Sequence, residues 1–214
     1  MNRLILALVA LLTATAAAAA PANPAIIHVK LVTSAGPIVL ALDARRAPRT
    51  VANFMKYVDD GRFDGTQFYR ASRNKGNPKL GFIQGGIGQD ARRILDPVPL
   101  EPTSKTGIHH TDGVISMAHG ANPNSAAGNF SIMVGPNPSL DARGSSAGYA
   151  AFGHVVSGMD IVRRILSLPS GGGEGPMKGQ MLVHPITIEK AIRLDGTPHP
   201  TGLPKPWTIA MPRG

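Results

Sequence analysis

Residues Ile26 to Asp43, IIHVKLVTSAGPIVLALD, alternate apolar and polar side chains on both sides of a Ser34-Ala35-Gly36 turn. Ile27, Val29 and Leu31, then Ile38, Leu40 and Leu42, recur at a spacing of two. Such a pair of strands presents one apolar face to a core. Further short runs of strand character lie at Thr66–Arg70, Phe82–Gly85, Gly113–Ala118, Phe130–Val134 and Ala150–Val156, and PITIEKAIRL ends the series at Leu194. Helical spacing is confined to two segments. Val51, Phe54, Met55 and Val58 carry it in APRTVANFMKYVDDG, and Ile161, Ile165 and Leu168 carry it in GMDIVRRILSL. Gly61 and Pro169 stop them. Many short strands, Gly/Pro turns and two isolated helices argue for an all-β dominated fold. The expected architecture is an antiparallel β-barrel whose open ends are covered by α-helices near 48–60 and 158–168.

The ends of the chain have a different composition. MNRLILALVALLTATAAAAA places Arg3 before an apolar run from Leu4 to Leu12 and closes in alanines. That is the layout of a secretory signal peptide over residues 1–20, with cleavage expected between Ala18 and Ala22 because Pro21 disfavours a cut directly before it. A spanning helix needs about 20 strongly apolar residues with other flanks, so stable membrane insertion is not expected. The mature protein is expected in the periplasm or outside the cell. From Asp195, DGTPHPTGLPKPWTIAMPRG has five prolines and no apolar period, which reads as an extended, mobile tail over 195–214 in which Trp207 could dock on the domain. One domain is expected between them, over 26–194. Cysteine is absent, which excludes disulfides and a lipid-anchored cysteine and points to a free, soluble monomer. The formal net charge is +9, with no run of consecutive Lys/Arg longer than two; in an exported chain this reads as a basic surface and not as a nucleic-acid site.

Taken alone, the polar residues are ambiguous. A strand arginine such as Arg70 is most often solvated, and Gln84 before Gly85-Gly86 could mark only a bulge or a close backbone approach. His109-His110 has no further ligand at metal spacing and fits a turn before the next strand. No serine sits in a nucleophile elbow, and no glycine-rich stretch joins a strand to a helix as phosphate loops do. SGGGEG, between a helix and the final strand, reads as a flexible connector. No cofactor and no metal are implied.

Four segments occur in order: APRTVANFMKYVDDGRFDGTQFYR, GFIQGG, GVISMAHGANPNSAAGNFSI and SLDARGSSAGYAAFGHVVSGMDIVRRI. Together they resemble the cyclophilin family of peptidyl-prolyl cis-trans isomerases, particularly its exported bacterial members, over roughly Ile26 to Leu194. The resemblance implies a closed eight-stranded antiparallel barrel with two capping helices. It implies Arg70 and Gln84 as catalytic residues facing a substrate groove. It also implies Phe82, Ala118, His119, Asn129, Phe130, Ser131, Leu140 and Tyr149 as substrate-binding residues. The partners it implies are Pro-containing unfolded or exported polypeptides, whose folding the isomerase would assist.

Arginine suits that chemistry. Amide rotation is opposed by a barrier of about 18–20 kcal/mol because the nitrogen lone pair is delocalised. Twisting localises that pair, and a fixed cationic donor favours the twisted state. Three positions depart from the family pattern: Ser139 stands where a tryptophan is often found, and Ser131 and Gly81 each stand where a phenylalanine is usual in the proline pocket. The last two bear on that pocket. Both make the proline pocket more polar and admit a second reading, a weakly catalytic or non-catalytic chaperone module that grips proline segments. Arg73, Lys75 and Lys79, expected on an extended loop between Arg70 and Gln84, would select acidic flanks if that loop borders the groove.

Overall fold

The computed structural model describes residues 25–208, so the leader read in residues 1–20 lies outside the described residues. Strands β1 (Ile26–Thr33), β2 (Gly36–Asp43), β3 (Thr66–Asn74), β4 (Asn77–Gly86), β5 (Val114–Met117), β6 (Asn129–Val134), β7 (Ala151–Ser157), β8 (Ser170–Gly171) and β9 (Met181–Arg193) form one sheet. Its order is β1-β2-β7-β5-β6-β4-β3-β9, with β1 also paired to β9, and β8 adding two residues at the side of β9. The eight long strands therefore close into an antiparallel barrel with no free edge.

The alternation that predicts β1 and β2 is kept: Val29, Leu31, Ile38, Leu40 and Leu42 all point into the barrel and are fully buried. One end is filled by α1 (Pro48–Asp59), which inserts Phe54 into an aromatic cluster. The Phe54 ring lies 4.9 Å from Phe63, 5.3 Å from Phe152 and 5.4 Å from Phe130, centroid to centroid. Pro48 begins the helix with a preset φ. The Glu101 carboxylate accepts from Arg49 N, Thr50 N and Thr50 Oγ1, supplying the cap that the local sequence lacks. A short helix α2 (Thr103–Thr106), ended by Gly107 at φ 67°, was not foreseen because four polar residues carry no apolar period. The second long helix, α3 (Met159–Ser167), buries Ile161, Val162, Ile165 and Leu166.

Two expectations are corrected. Strands β3 and β4 are joined by only Lys75 and Gly76, so the region between Arg70 and Gln84 is a hairpin and not an extended loop. Arg73 is bound to the C-terminal end of α3, donating from Nε to the Leu166 carbonyl at 2.7 Å, from Nη1 to Ser170 Oγ at 3.1 Å, and from Nη2 to the Leu168 carbonyl. A cation there satisfies carbonyls that the helix leaves unpaired. It is not free to select substrate.

The tail is also more ordered than its prolines suggest, as far as Thr208. Asp59 accepts from Arg193 Nη2 at 2.6 Å and from His199 N at 2.9 Å. Asp60 accepts from Arg62 Nε at 2.8 Å, from Thr201 N at 2.7 Å and from Thr201 Oγ1 at 2.5 Å. Burial pulls the Asp60 carboxyl upward, but these bonds outweigh it and hold the group below the usual carboxylate range. Trp207 lies against two guanidinium groups, 4.6 Å from Arg62 and 5.3 Å from Arg93.

Candidate active site

The groove is built on the outer face of β3, β4, β6 and β5. Phe68 pairs with Gly85 and Arg70 pairs with Gln84, so Tyr69 is an extra residue in β3, a bulge. Strict alternation would send Tyr69 outward and turn Arg70 inward with Phe68. The bulge instead leaves both Tyr69 and Arg70 half-buried on the groove side, while Phe68 and Ala71 enter the core. The partner strand must come close here. A Cβ on Gly85 would lie 2.7 Å from the Phe68 ring and 2.9 Å from the Gln67 carbonyl.

The Arg70 guanidinium donates from Nη1 to Gln84 Oε1 at 2.7 Å and from Nε to Gln180 Oε1 at 2.9 Å. Its Nη2 approaches the Pro176 carbonyl at 3.4 Å, and its carbon sits 5.1 Å from the centre of the Phe82 ring. Gln84 Nε2 donates to the Tyr69 hydroxyl at 3.1 Å, and that hydroxyl donates to Asn129 Oδ1 at 3.3 Å. Asn129 is fixed in turn: its Oδ1 accepts from Gly88 N at 2.8 Å and its Nδ2 donates to the Gly88 carbonyl at 3.0 Å. Donation runs one way along this chain, from Arg70 to Asn129. Burial pushes the Tyr69 phenol up to about 12, so it remains a neutral donor. Burial also lowers Arg70, yet a guanidinium does not give up its proton at neutral pH.

Other expected residues gather nearby. Ser131 pairs with both Gln84 and Ser116 across β4, β6 and β5, which puts its hydroxyl in the groove floor. Ala118 N donates to the Asn129 carbonyl at 2.9 Å. His119 and Tyr149 stack with ring centroids 4.3 Å apart, and Tyr149 N donates to the Leu140 carbonyl at 2.9 Å. Of these four, Ala118 and His119 line the cavity beside Gln84. Behind Leu140, Asp141 accepts from His110 N, its Oδ1 lies 2.6 Å from His110 Nδ1, and His110 Nε2 lies 2.8 Å from Ser116 Oγ. Burial lowers the His110 imidazole against the pull of Asp141. The pair read as a turn thus includes a buried brace beneath the floor.

Phe130 is the exception. Its ring is fully buried in the barrel core against Phe54, Phe63 and Phe68, so it cannot touch a peptide in the groove. Gly81 is not merely a lost pocket side chain: at φ 142° its Cβ would lie 2.0 Å from the Ser72 carbonyl. The backbone there admits only glycine.

A cavity of about 990 Å³ opens beside Tyr69, Gln84 and Asn129, walled by residues of the 86–94 segment, by Ala118, His119 and Gly120, and by Met177 and Met181. Tyr69, Gln180 and the methionines were missed from sequence because a bulge has no local signal and a Gly-rich connector carries no period.

The chain matches the model of the family described as cyclophilin type peptidyl-prolyl cis-trans isomerase/CLD over residues 28–191. It is 37% identical over 190 residues to peptidyl-prolyl cis-trans isomerase A of Dickeya dadantii, covering 89% of this chain and 96% of that protein. It is 29% identical over 166 residues to peptidyl-prolyl cis-trans isomerase B of Escherichia coli, covering 74% and 97%. A crystal structure of a Cryptosporidium parvum cyclophilin in the presence of the dipeptide Ala-Pro superposes with a TM-score of 0.64 at 19% identity, covering 79% of this chain and 99% of that one. The barrel, the outward-facing arginine and the family match over residues 28–191 agree, and the chain belongs to the cyclophilin family of peptidyl-prolyl cis-trans isomerases.

Proposed function

We propose that this chain is an exported peptidyl-prolyl cis-trans isomerase that rotates X-Pro bonds in exported polypeptides and so assists their folding. The observation that carries the reading is the Arg70 guanidinium, held on the groove face by Gln84 and Gln180. A guanidinium has five N–H donors. Three contacts engage it, through Nε, Nη1 and Nη2, which leaves two N–H groups for a bound peptide. They meet the amide as it twists, when nitrogen recovers its lone pair and becomes an acceptor. The cis and trans forms differ by only about 0.5–1 kcal/mol, so lowering the barrier is the whole task. Shortening an uncatalysed turnover of about 10–100 s to milliseconds requires about 10⁴-fold, or about 5–6 kcal/mol. No nucleophile is needed.

Export rests on residues 1–20, with Arg3, the apolar run and the alanines of a signal peptide, and a periplasmic or secreted location is the consequence. A monomer with extended, Pro-containing clients fits an open groove. The second reading, a proline-gripping chaperone with little catalysis, is favoured by Ser131 in the floor and by the side-chain-free backbone at Gly81.

Protease-coupled isomerisation of a short X-Pro peptide separates the two. Acceleration by the mature chain is expected. Binding of the peptide with no acceleration would put the chaperone reading in its place. For export, the mature chain in the periplasmic or secreted fraction is expected to begin within residues 19–23, and retention of Met1 in the cytoplasm would contradict it.

A further inference from the structure

We infer that Gln180 is a positioning residue that fixes the plane of the Arg70 guanidinium for the reaction. This rests on the isomerase reading and names a residue of that site on a segment that the sequence marks only as a connector.

Gln180 is pinned in three ways. Its carbonyl accepts from Ala71 N at 2.9 Å and its N–H donates to the Met177 carbonyl at 3.0 Å. Its side-chain Nε2 donates to the Pro176 carbonyl at 3.1 Å, which orients the amide so that Oε1 faces Arg70 Nε at 2.9 Å. Gln84 holds Nη1 from the other side at 2.7 Å. A planar group held at Nε and at Nη1 keeps one orientation, whereas one held at Nη1, with only the longer 3.4 Å contact from Nη2 to the Pro176 carbonyl and the Phe82 ring beside it, has more freedom to swing. Arg70 is half-buried, so water does not simply replace a lost acceptor. Orientation matters most in the twisted state, where the donor must meet a lone pair that the planar amide does not offer. Loss of Gln180 should therefore slow turnover more than it weakens binding. The bland alternative is that Gln180 only fastens the 172–180 segment to β3. In that case its loss would act through stability and would not depend on residue 70.

The test is a double-mutant cycle with Gln180→Leu and Arg70→Lys, reading kcat, KM and melting temperature on one X-Pro peptide, with Gln180→Ala as a second variant should leucine disturb folding. Gln180→Leu in the wild-type background is expected to lower kcat by about fivefold or more with KM within about twofold. In the Arg70→Lys background, where no guanidinium plane remains to be held, the same change is expected to cost less than about twofold. In the NMR spectrum the Arg70 Nε–H signal is expected to be protected from exchange in the wild type and to lose that protection in Gln180→Leu. Equal losses in both backgrounds, an effect on KM alone, or an unchanged Nε–H signal would overturn the assignment while leaving the isomerase reading intact. A wild type that leaves isomerisation at its uncatalysed rate would remove both.

Discussion

A lone arginine on a strand samples several rotamers, and each costs orientation at the moment of reaction. Arg70 escapes this because Gln84, Gln180 and the Phe82 ring limit its motion. The opposite holds at Ser131, where a hydroxyl occupies a floor position that an apolar ring could fill. Ser131→Phe would extend the apolar surface beside Phe82. At about 25 cal/mol per Å² of area buried, a peptide covering even part of the new ring should bind severalfold more tightly. A lower KM for X-Pro peptides is expected, and an unchanged KM would show that residue 131 does not contact the substrate. Phe130 teaches the complementary point. Alternation along β6 puts 130 and 131 on opposite faces, so only one of them can meet the peptide, and burial assigns Phe130 to the core.

At the scale of elements, what was legible in the sequence is what has a local period. The alternation of β1 and β2 and the helical spacing of α1 and α3 depend on neighbours within a few residues, and the structure keeps them. The β3–β4 hairpin runs on through Ser72, Arg73 and Asn74, polar residues whose pairing is decided by partners far along the chain. The bulge at Tyr69 is equally silent, since it exists only relative to Gly85 and Gln84. Arg73, which looks like a groove charge in sequence, instead ties β3 to the end of α3. Arg73→Ala should therefore reduce stability by about 1–3 kcal/mol, the cost of leaving partly buried carbonyls unpaired, while kcat/KM stays within about twofold. Denaturant unfolding beside a peptide assay checks both. Loss of a preference for Glu over Lys next to the proline would restore the groove role that the structure removes.

On the scale of the whole molecule, β9 closes the barrel and the tail from Asp195 to Thr208 secures it. Two aspartates end α1, where the helix dipole disfavours negative charge, and both are compensated from the barrel and from residues 199 and 201. Truncation after Leu194 removes the tail's share of these bonds. A lower melting temperature is expected, with isomerase activity retained at low temperature. The pH dependence has a definite sign. The Asp60 carboxyl is held low in the folded state, so its contribution is complete above the unfolded value of about 3.9 and is lost as pH falls through the folded value. Without Thr201 the upward pull of burial meets less opposition, and the acid-unfolding midpoint should move to higher pH. An unchanged midpoint would show that the tail contacts contribute nothing. None of this is visible in a proline-rich composition, which describes local stiffness and not the two threonine bonds that fasten it.

In the proposed mechanism a fixed guanidinium lowers the barrier to amide rotation, and Arg70→Lys puts that to the test. Lysine keeps the charge and loses the planar fork. In Arg70→Lys, kcat/KM for an X-Pro peptide is expected to fall about tenfold or more, at least about 1.4 kcal/mol of transition-state stabilisation, with little change in melting temperature because the side chain faces the groove. Wild-type efficiency in Arg70→Lys would contradict it.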